Sequence, residues 1–203
     1  MSDLALDIPV EYPDWMYEAM TGDVPIRTYP DPVLLEPCEP IAADEFGENI
    51  QALGDTMLMV VAREGGLGLA ASQIGILKRM FVMKATAESP GEIICNPVLK
   101  AGPETEAADE GCLSLPGAFQ QVVRSVFVDM QYQTPDGTYK MVHLSRMPAR
   151  IAQHEVDHLD GIMFHQRMTR QMRKQVLKAF DKETIHRARV AQIVANTRPT
   201  WQR

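Results

Sequence analysis

Between Arg79 and Leu144 the chain carries four short runs of β-type composition, Met80–Met83, Glu92–Cys95, Gln121–Gln133 and Tyr139–Leu144, separated by Pro-Gly, Asn-Pro and Asp-Gly turn signals. With no helical period between them, they predict antiparallel sheet. On the N-terminal side, Ile50, Leu53, Met57, Val60 and Val61 recur at three- and four-residue steps from Asp44 to Glu64. That spacing predicts an amphipathic helix with Asp44 as its N-cap and Gly65-Gly66 as its end. On the C-terminal side, Pro148 suits a first helical turn, and Ile151, Ala152, Glu155, His158 and Leu159 follow at helical spacing up to Gly161. The order helix, strands, helix, helix predicts an α+β fold and not alternating βαβ units: antiparallel β-sheets around a central helix carrying the histidines, with a C-terminal helix.

The chain has 203 residues, a length that predicts one compact domain plus tails. A domain of that size buries roughly 70% of the surface its unfolded chain exposes and needs neither disulfides nor a structural metal. A metal site, if there is one, therefore points to catalysis. Residues 1–40 contain seven prolines (Pro9, Pro13, Pro25, Pro30, Pro32, Pro37 and Pro40), which predicts an extended arm wrapped over the body. The densest apolar stretch, Met57–Ala62, is broken by Arg63 and Glu64, far short of the ~20 residues of a membrane span. No membrane attachment is expected.

Charge is unevenly spread. The formal net charge is −7, yet residues 167–203 hold ten Lys and Arg against Asp181 and Glu183 only. Such a tail suits an anionic partner, or a solvated amphipathic helix packed on the body by Met168, Met172, Val176 and Phe180. The first 25 residues carry six acids and no base, the reverse of a transit peptide. Three cysteines, Cys38, Cys95 and Cys112, form no CxxC pair, and no secretory pattern opens the chain, so a reducing cytoplasm is expected. The boundaries read from these features are an acidic arm over 1–25, a catalytic domain over 26–166 and a basic helix or tail over 167–203.

The strongest chemical signal is His154-Glu155-Val156-Asp157-His158, an HExxH pattern on a predicted helix. Positions i and i+4 share a face, so both imidazoles can point at one divalent ion while Glu155 reaches a water bound to it. A hydrolytic site needs a third protein ligand. The metzincin pattern requires histidine at 164, where the chain has Phe164, with His165 one residue late; a gluzincin-type glutamate is offered only by Glu183 in the basic tail. Upstream, Glu110-Gly111-Cys112-Leu113-Ser114 places a thiol between two strand candidates, and thiolate is a good ligand for zinc or iron. Cys38 and Cys95 read as buried structural cysteines. The segment Gly66-Leu67-Gly68-Leu69-Ala70-Ala71-Ser72-Gln73 satisfies GxGxxA literally, but follows a helical run, which argues against a dinucleotide site. Its glycines instead allow close approach of a peptide backbone, and Gln73 adds an amide donor suited to an oxyanion.

The three segments GLGLAASQ, EGCLS and QHEVDHLDG, in that order, resemble the signature motifs GxGLAAxQ, EGCxS and HExxH of the peptide deformylase family. The resemblance runs from about Pro30 to about Arg173. It implies that Cys112, His154 and His158 ligate one divalent metal, Fe²⁺ by expectation, with Zn²⁺, Ni²⁺ or Co²⁺ possible. The implied reaction removes the N-formyl group from the initiator methionine of nascent polypeptides, releasing formate. Glu155 would take a proton from the attacking water and return it to the departing nitrogen. The metal, the Leu113 main-chain N–H and the Gln73 amide would hold the oxyanion.

By the same resemblance, Leu67 and Gly68 offer main-chain groups to an extended substrate. The methionine pocket includes Met147, Arg150, Ile151 and His154, with Glu110 near its rim and Arg150 contributing only its methylene stem. Glu110 and Arg124 are also candidates for a structural ion pair. Relatives dock a C-terminal helix on the ribosome, so the tail is expected to contact rRNA phosphate, and its removal after Met172 to spare turnover of small peptides. No DNA partner is expected. The alternative function is an HExxH-type metallopeptidase.

Overall fold

The computed structural model describes residues 24–197, with side chains to residue 190. The acidic arm expected over 1–25 therefore lies almost wholly outside the described residues. The described part of the proline-rich segment holds a turn at Tyr29–Pro30 and a 3-10 turn over Pro32–Leu35 but no longer helix. It lies over the body: Arg27 N–H donates to Gln73 O at 2.7 Å, Tyr29 N–H to Ser114 O at 2.9 Å and Cys38 N–H to Leu159 O at 2.8 Å. Val24, Leu34 and Cys38 are buried.

Helix α1 spans Glu48–Glu64 and starts three residues later than a cap at Asp44 predicts. Asp44 is not its cap. Gly47 occupies that position at φ +125°, and just before it a local turn is closed by Ala42 N–H donating to Glu45 Oε2 at 2.8 Å. The buried face is the expected one, Ile50, Leu53, Met57, Val60 and Val61. Gly65 ends the helix at φ +69° with its N–H on Val61 O, a left-handed C-terminal stop that glycine accommodates without strain.

Seven strands follow: β1 (Gly68–Ala70), β2 (Met80–Lys84), β3 (Gly91–Ala101), β4 (Thr105–Cys112), β5 (Leu115–Ser125), β6 (Phe127–Gln133) and β7 (Tyr139–Ser145). All pairings are antiparallel, in a five-stranded sheet ordered β1-β2-β3-β6-β7 and a two-stranded sheet β4-β5. The run Gln121–Gln133 is thus two strands in different sheets. The chain changes sheet at Val126, whose N–H donates to Glu104 O at 2.9 Å and whose carbonyl accepts from Arg146 N–H at 2.7 Å. Strands β1 and β4 go beyond what the sequence pattern predicts. β4 reads TEAADEGC, poor in β-formers, and is a strand because β5 supplies the ladder and the packing.

Helix α2, Arg146–Leu159, packs on strands of both sheets. Ile151, Ala152 and Leu159 join Phe81, Ile94 and Met130 of the large sheet in one apolar cluster. A long helix α3, Arg170–Thr197, lies on β5. Val176 and Phe180 are buried there with Leu115, Ala118 and Val122, Met168 is packed against them, and Met172 is half-buried. Removing the residues beyond Met172 would therefore also take Val176 and Phe180 out of this cluster. No helix among the described residues is long and apolar enough to cross a membrane.

Candidate metal centre and its cleft

Cys112 is not in a segment between strands; it is the last residue of β4, where a register shift between Gly111 and Cys112 breaks the regular ladder. Helix α2 carries His154, Glu155 and His158. The ligand atoms of Cys112, His154 and His158 all lie within 4.8 Å of one another. Cys112 Sγ approaches His158 Nε2 at 3.2 Å, and the two imidazole rings are 5.0 Å apart at 74°. Among the described residues this is the group of three that can hold an ion. The other third-ligand candidates are elsewhere: His165 is buried beside the Tyr29 ring at 5.2 Å, and Glu183 is paired with Arg187 on α3. Cys38 and Cys95 are buried free thiols, and burial pushes the Cys95 thiol up to about 12.

Two imidazoles and one sulfur suit a borderline-soft divalent ion. Glu155 Oε2 and His158 Nδ1 are buried without a hydrogen-bond partner, and an unpaired buried carboxylate oxygen is costly unless a ligand or proton meets it. Burial lifts the Glu155 carboxyl to about 7, and drives His158 well below its ordinary range, the neutral form that ligates metal. Burial opposes the charged form of His154 as well, but the Cys112 sulfur and the Glu110 carboxylate outweigh it and raise this ring to about 10. Ion binding at His154 must therefore displace a proton. The donor set fits one divalent ion.

Beneath the ligands lies an ionic network that sequence spacing does not reveal. His154 Nδ1 donates to Glu110 Oε2 at 2.9 Å, which leaves Nε2 to face the site and fixes the tautomer. Arg124 forks onto Glu110 through Nε at 2.9 Å and Nη2 at 3.0 Å, so this ion pair is present. Arg150 Nη1 adds a bond to Glu110 Oε1 at 2.7 Å and another to Val122 O at 2.8 Å. Arg124 Nη1 and Arg167 in turn hold Asp157. Burial raises the Glu110 carboxyl, but His154 and Arg124 outweigh it and hold it down at about 2. Glu110, expected near the pocket rim, borders the cleft but is 6% exposed, with both its oxygens engaged by His154, Arg124 and Arg150.

These residues border a cleft of about 480 Å³. Leu67, Gly68, Gln73, Cys112 and Leu113 line it together with Met147, Arg150, Ile151, His154 and Glu155. Gln73 sits in a 3-10 turn over Ala71–Ile74. Its Oε1 accepts from Ala70 N–H at 2.8 Å, and its amide donates to Ser114 Oγ at 3.1 Å and faces Cys112 Sγ at 3.6 Å. The glycine segment thus feeds a short strand and a four-residue turn, not the long helix a dinucleotide phosphate needs. A Cβ on Gly68 would lie 2.4 Å from Glu155 Oε1, so glycine there is what lets the carboxylate reach the site. Glu64, Asp109, Phe119 and Arg187 also line the cleft; sequence reasoning missed them because nothing local marks them.

Comparison with known proteins agrees with this geometry. The family described as polypeptide deformylase matches residues 24–174. A peptide deformylase of Acidobacterium capsulatum is 40% identical over 161 residues, covering 78% of this chain and 94% of its own length. Among solved structures, a peptide deformylase from Legionella pneumophila is similar with a TM-score of 0.77 and 30% identity, covering 81% of this chain and 97% of that one. The peptide deformylase from Thermus thermophilus gives a TM-score of 0.73 and 35% identity, covering 81% of this chain and 96% of that one.

Proposed function

The chain belongs to the peptide deformylase family, and on that premise we propose how its residues divide the reaction. The reaction is hydrolysis of the N-formyl group from formyl-methionyl nascent peptides, releasing formate and a free α-amine, and the family is metal-dependent. Cys112, His154 and His158 would hold one divalent ion, Fe²⁺ by preference, with Zn²⁺, Ni²⁺ or Co²⁺ as substitutes. When bound, the ion supplies Lewis acidity to the formyl group.

Glu155 takes a proton from the water that attacks the formyl carbon and returns it to the departing nitrogen. A carboxyl near 7 is matched to both halves of that exchange at neutral pH. The Gln73 amide and the Leu113 N–H donate to the developing oxyanion. Leu67 and Gly68 pair with the substrate main chain as an added strand. Met147, Ile151 and the Arg150 stem contact the methionine side chain, while Glu110 acts through His154 and does not touch substrate. The observation that carries this reading is the meeting of three ligand atoms within 4.8 Å with a buried, unpartnered Glu155 oxygen on one cleft. Replacing Glu155 by Gln tests it: formate release should fall by about 10²–10⁴-fold with metal content unchanged, and unchanged turnover rejects the role.

Residues 26–166 form the catalytic unit in this reading, 1–25 an acidic arm and 167–203 a basic helix or tail whose exposed cations would contact ribosomal RNA phosphate. The cytoplasm, where nascent chains emerge and thiols stay reduced, is the compartment it assigns. No observation favours the metallopeptidase alternative, since Phe164 replaces its third histidine.

A further inference from the structure

Helix α3 reaches the cleft at Arg187. Gly117, at φ +74°, lies so close beneath it that a Cβ would sit 2.7 Å from Glu183 Cγ. One helical turn on, Arg187 lines the cleft itself and donates to Glu183 Oε1 at 2.8 Å. The Arg187 side chain is 63% exposed. Two acids, Glu64 and Asp109, are exposed at the same mouth. The other arginine of the cleft, Arg150, has its guanidinium buried on Glu110. Arg187 is therefore the solvent-facing guanidinium of the described lining.

Hydrolysis of a formyl amide gives that cation no task. Within a peptide the formyl-methionyl residue is uncharged, its amine being blocked, and Arg187 pairs with Glu183 and not with a residue of the metal group. A polypeptide leaving the cleft, however, passes its mouth. We propose that Arg187 is a specificity residue that favours formyl peptides carrying an Asp or Glu side chain among the residues that follow the methionine. This rests on the deformylase reading. Glu183 is the intramolecular stand-in for that carboxylate: an exposed i, i+4 pair is weak, so a substrate carboxylate exchanges with it at small cost. Glu64 and Asp109 oppose an acid placed near them, so the preference is confined to one position along the peptide.

The test is kcat/KM for formate release from four-residue formyl-Met peptides with a single Asp at the second, third or fourth position, each beside its Asn and Lys counterparts. Asp is expected to exceed Asn at one position by about two- to fivefold, the range of exposed ion pairs, and to lose that advantage at high salt. Arg187→Ala should bring the Asp:Asn ratio to one, and Arg187→Lys should keep it. Arg187→Glu should invert it in favour of Lys, and Glu183→Gln should increase it by releasing the guanidinium. Asp:Asn ratios unmoved by Arg187→Ala at all three positions, or a change shared equally by Asp, Asn and Lys peptides, would overturn the assignment. Formate from the Asn peptides measures the underlying activity: with none, both readings fall; with formate and unchanged ratios, the role of Arg187 falls alone.

Discussion

Gly68→Ala is the smallest change that should disable the site while leaving its metal in place. A methyl group there would stand 2.4 Å from Glu155 Oε1, 2.9 Å from Cδ and 3.0 Å from Cγ. Ordinary contact between such atoms is about 3.5 Å, so the Glu155 carboxylate must retreat by about 1 Å. The glycine cannot yield instead, because it is held in register opposite Met83 in the large sheet. Glu155 has little room, being 4% exposed on the helix that also fixes His154 and His158. A misplacement of about 1 Å costs on the order of 10² in rate, and overpacking of this kind costs about 1–3 kcal/mol of stability. Steady-state formate release, metal stoichiometry and Tm on the same preparation separate the terms. The expected result is one metal per chain, a modest fall in Tm and kcat lowered about 100-fold. A kcat within about twofold of the parent chain, with metal retained, would show that the position of Glu155 does not govern the rate; a rise in KM alone would assign Gly68 to substrate pairing only.

Three further outcomes follow from the same structure. Glu110→Gln leaves His154 an acceptor but removes the charge that orients it, so metal affinity, measured by competition with a chelator, should fall about 10- to 100-fold. The Glu110 carboxyl is held near 2 against an ordinary 4.5: above 4.5 it is ionised in both folded and unfolded chains and its stabilisation is fully present. As pH falls from there toward 2 the unfolded chain takes up a proton that the folded chain refuses, and the contribution is lost; Tm against pH should be flatter over that interval in Glu110→Gln. Phe180→Ala removes a ring that is 7% exposed and should cost about 3 kcal/mol, a fall of roughly 6–12 °C in Tm. An unchanged Tm would mean that α3 does not belong to the core.

The parts of the fold that depend on local pattern are legible in the sequence. The apolar face of α1 follows its three- and four-residue spacing, and Gly65 ends it. The start of α1 is not legible, because an acid at 44 resembles a cap, whereas Gly47 and the turn closed by Glu45 decide where helical backbone begins. Alternation at 121–133 shows that residues face opposite sides, but it does not say which sheet they join, and the change of partner at Val126 is set by contacts with Glu104 and Arg146. For the site, His154, Glu155 and His158 announce themselves by helical spacing, and Cys112 by its motif. Glu110, 44 residues from its partner His154, reads as a rim acid because its engagement with two arginines and an imidazole is purely tertiary. Asp157 sits inside the HExxH motif, yet nothing in the spacing shows that Arg124 and Arg167 converge on it. Arg187 reaches the cleft only because α3 crosses β5 at Gly117.

Formate release from a formyl-Met peptide tests the central claim most directly, using protein purified anaerobically and loaded separately with Fe²⁺ and Zn²⁺, alongside cleavage of an unformylated peptide. The account predicts rapid formate release, faster with Fe²⁺, and no peptide-bond cleavage. No formate from either form with metal demonstrably bound, or cleavage of the unformylated peptide, would contradict it.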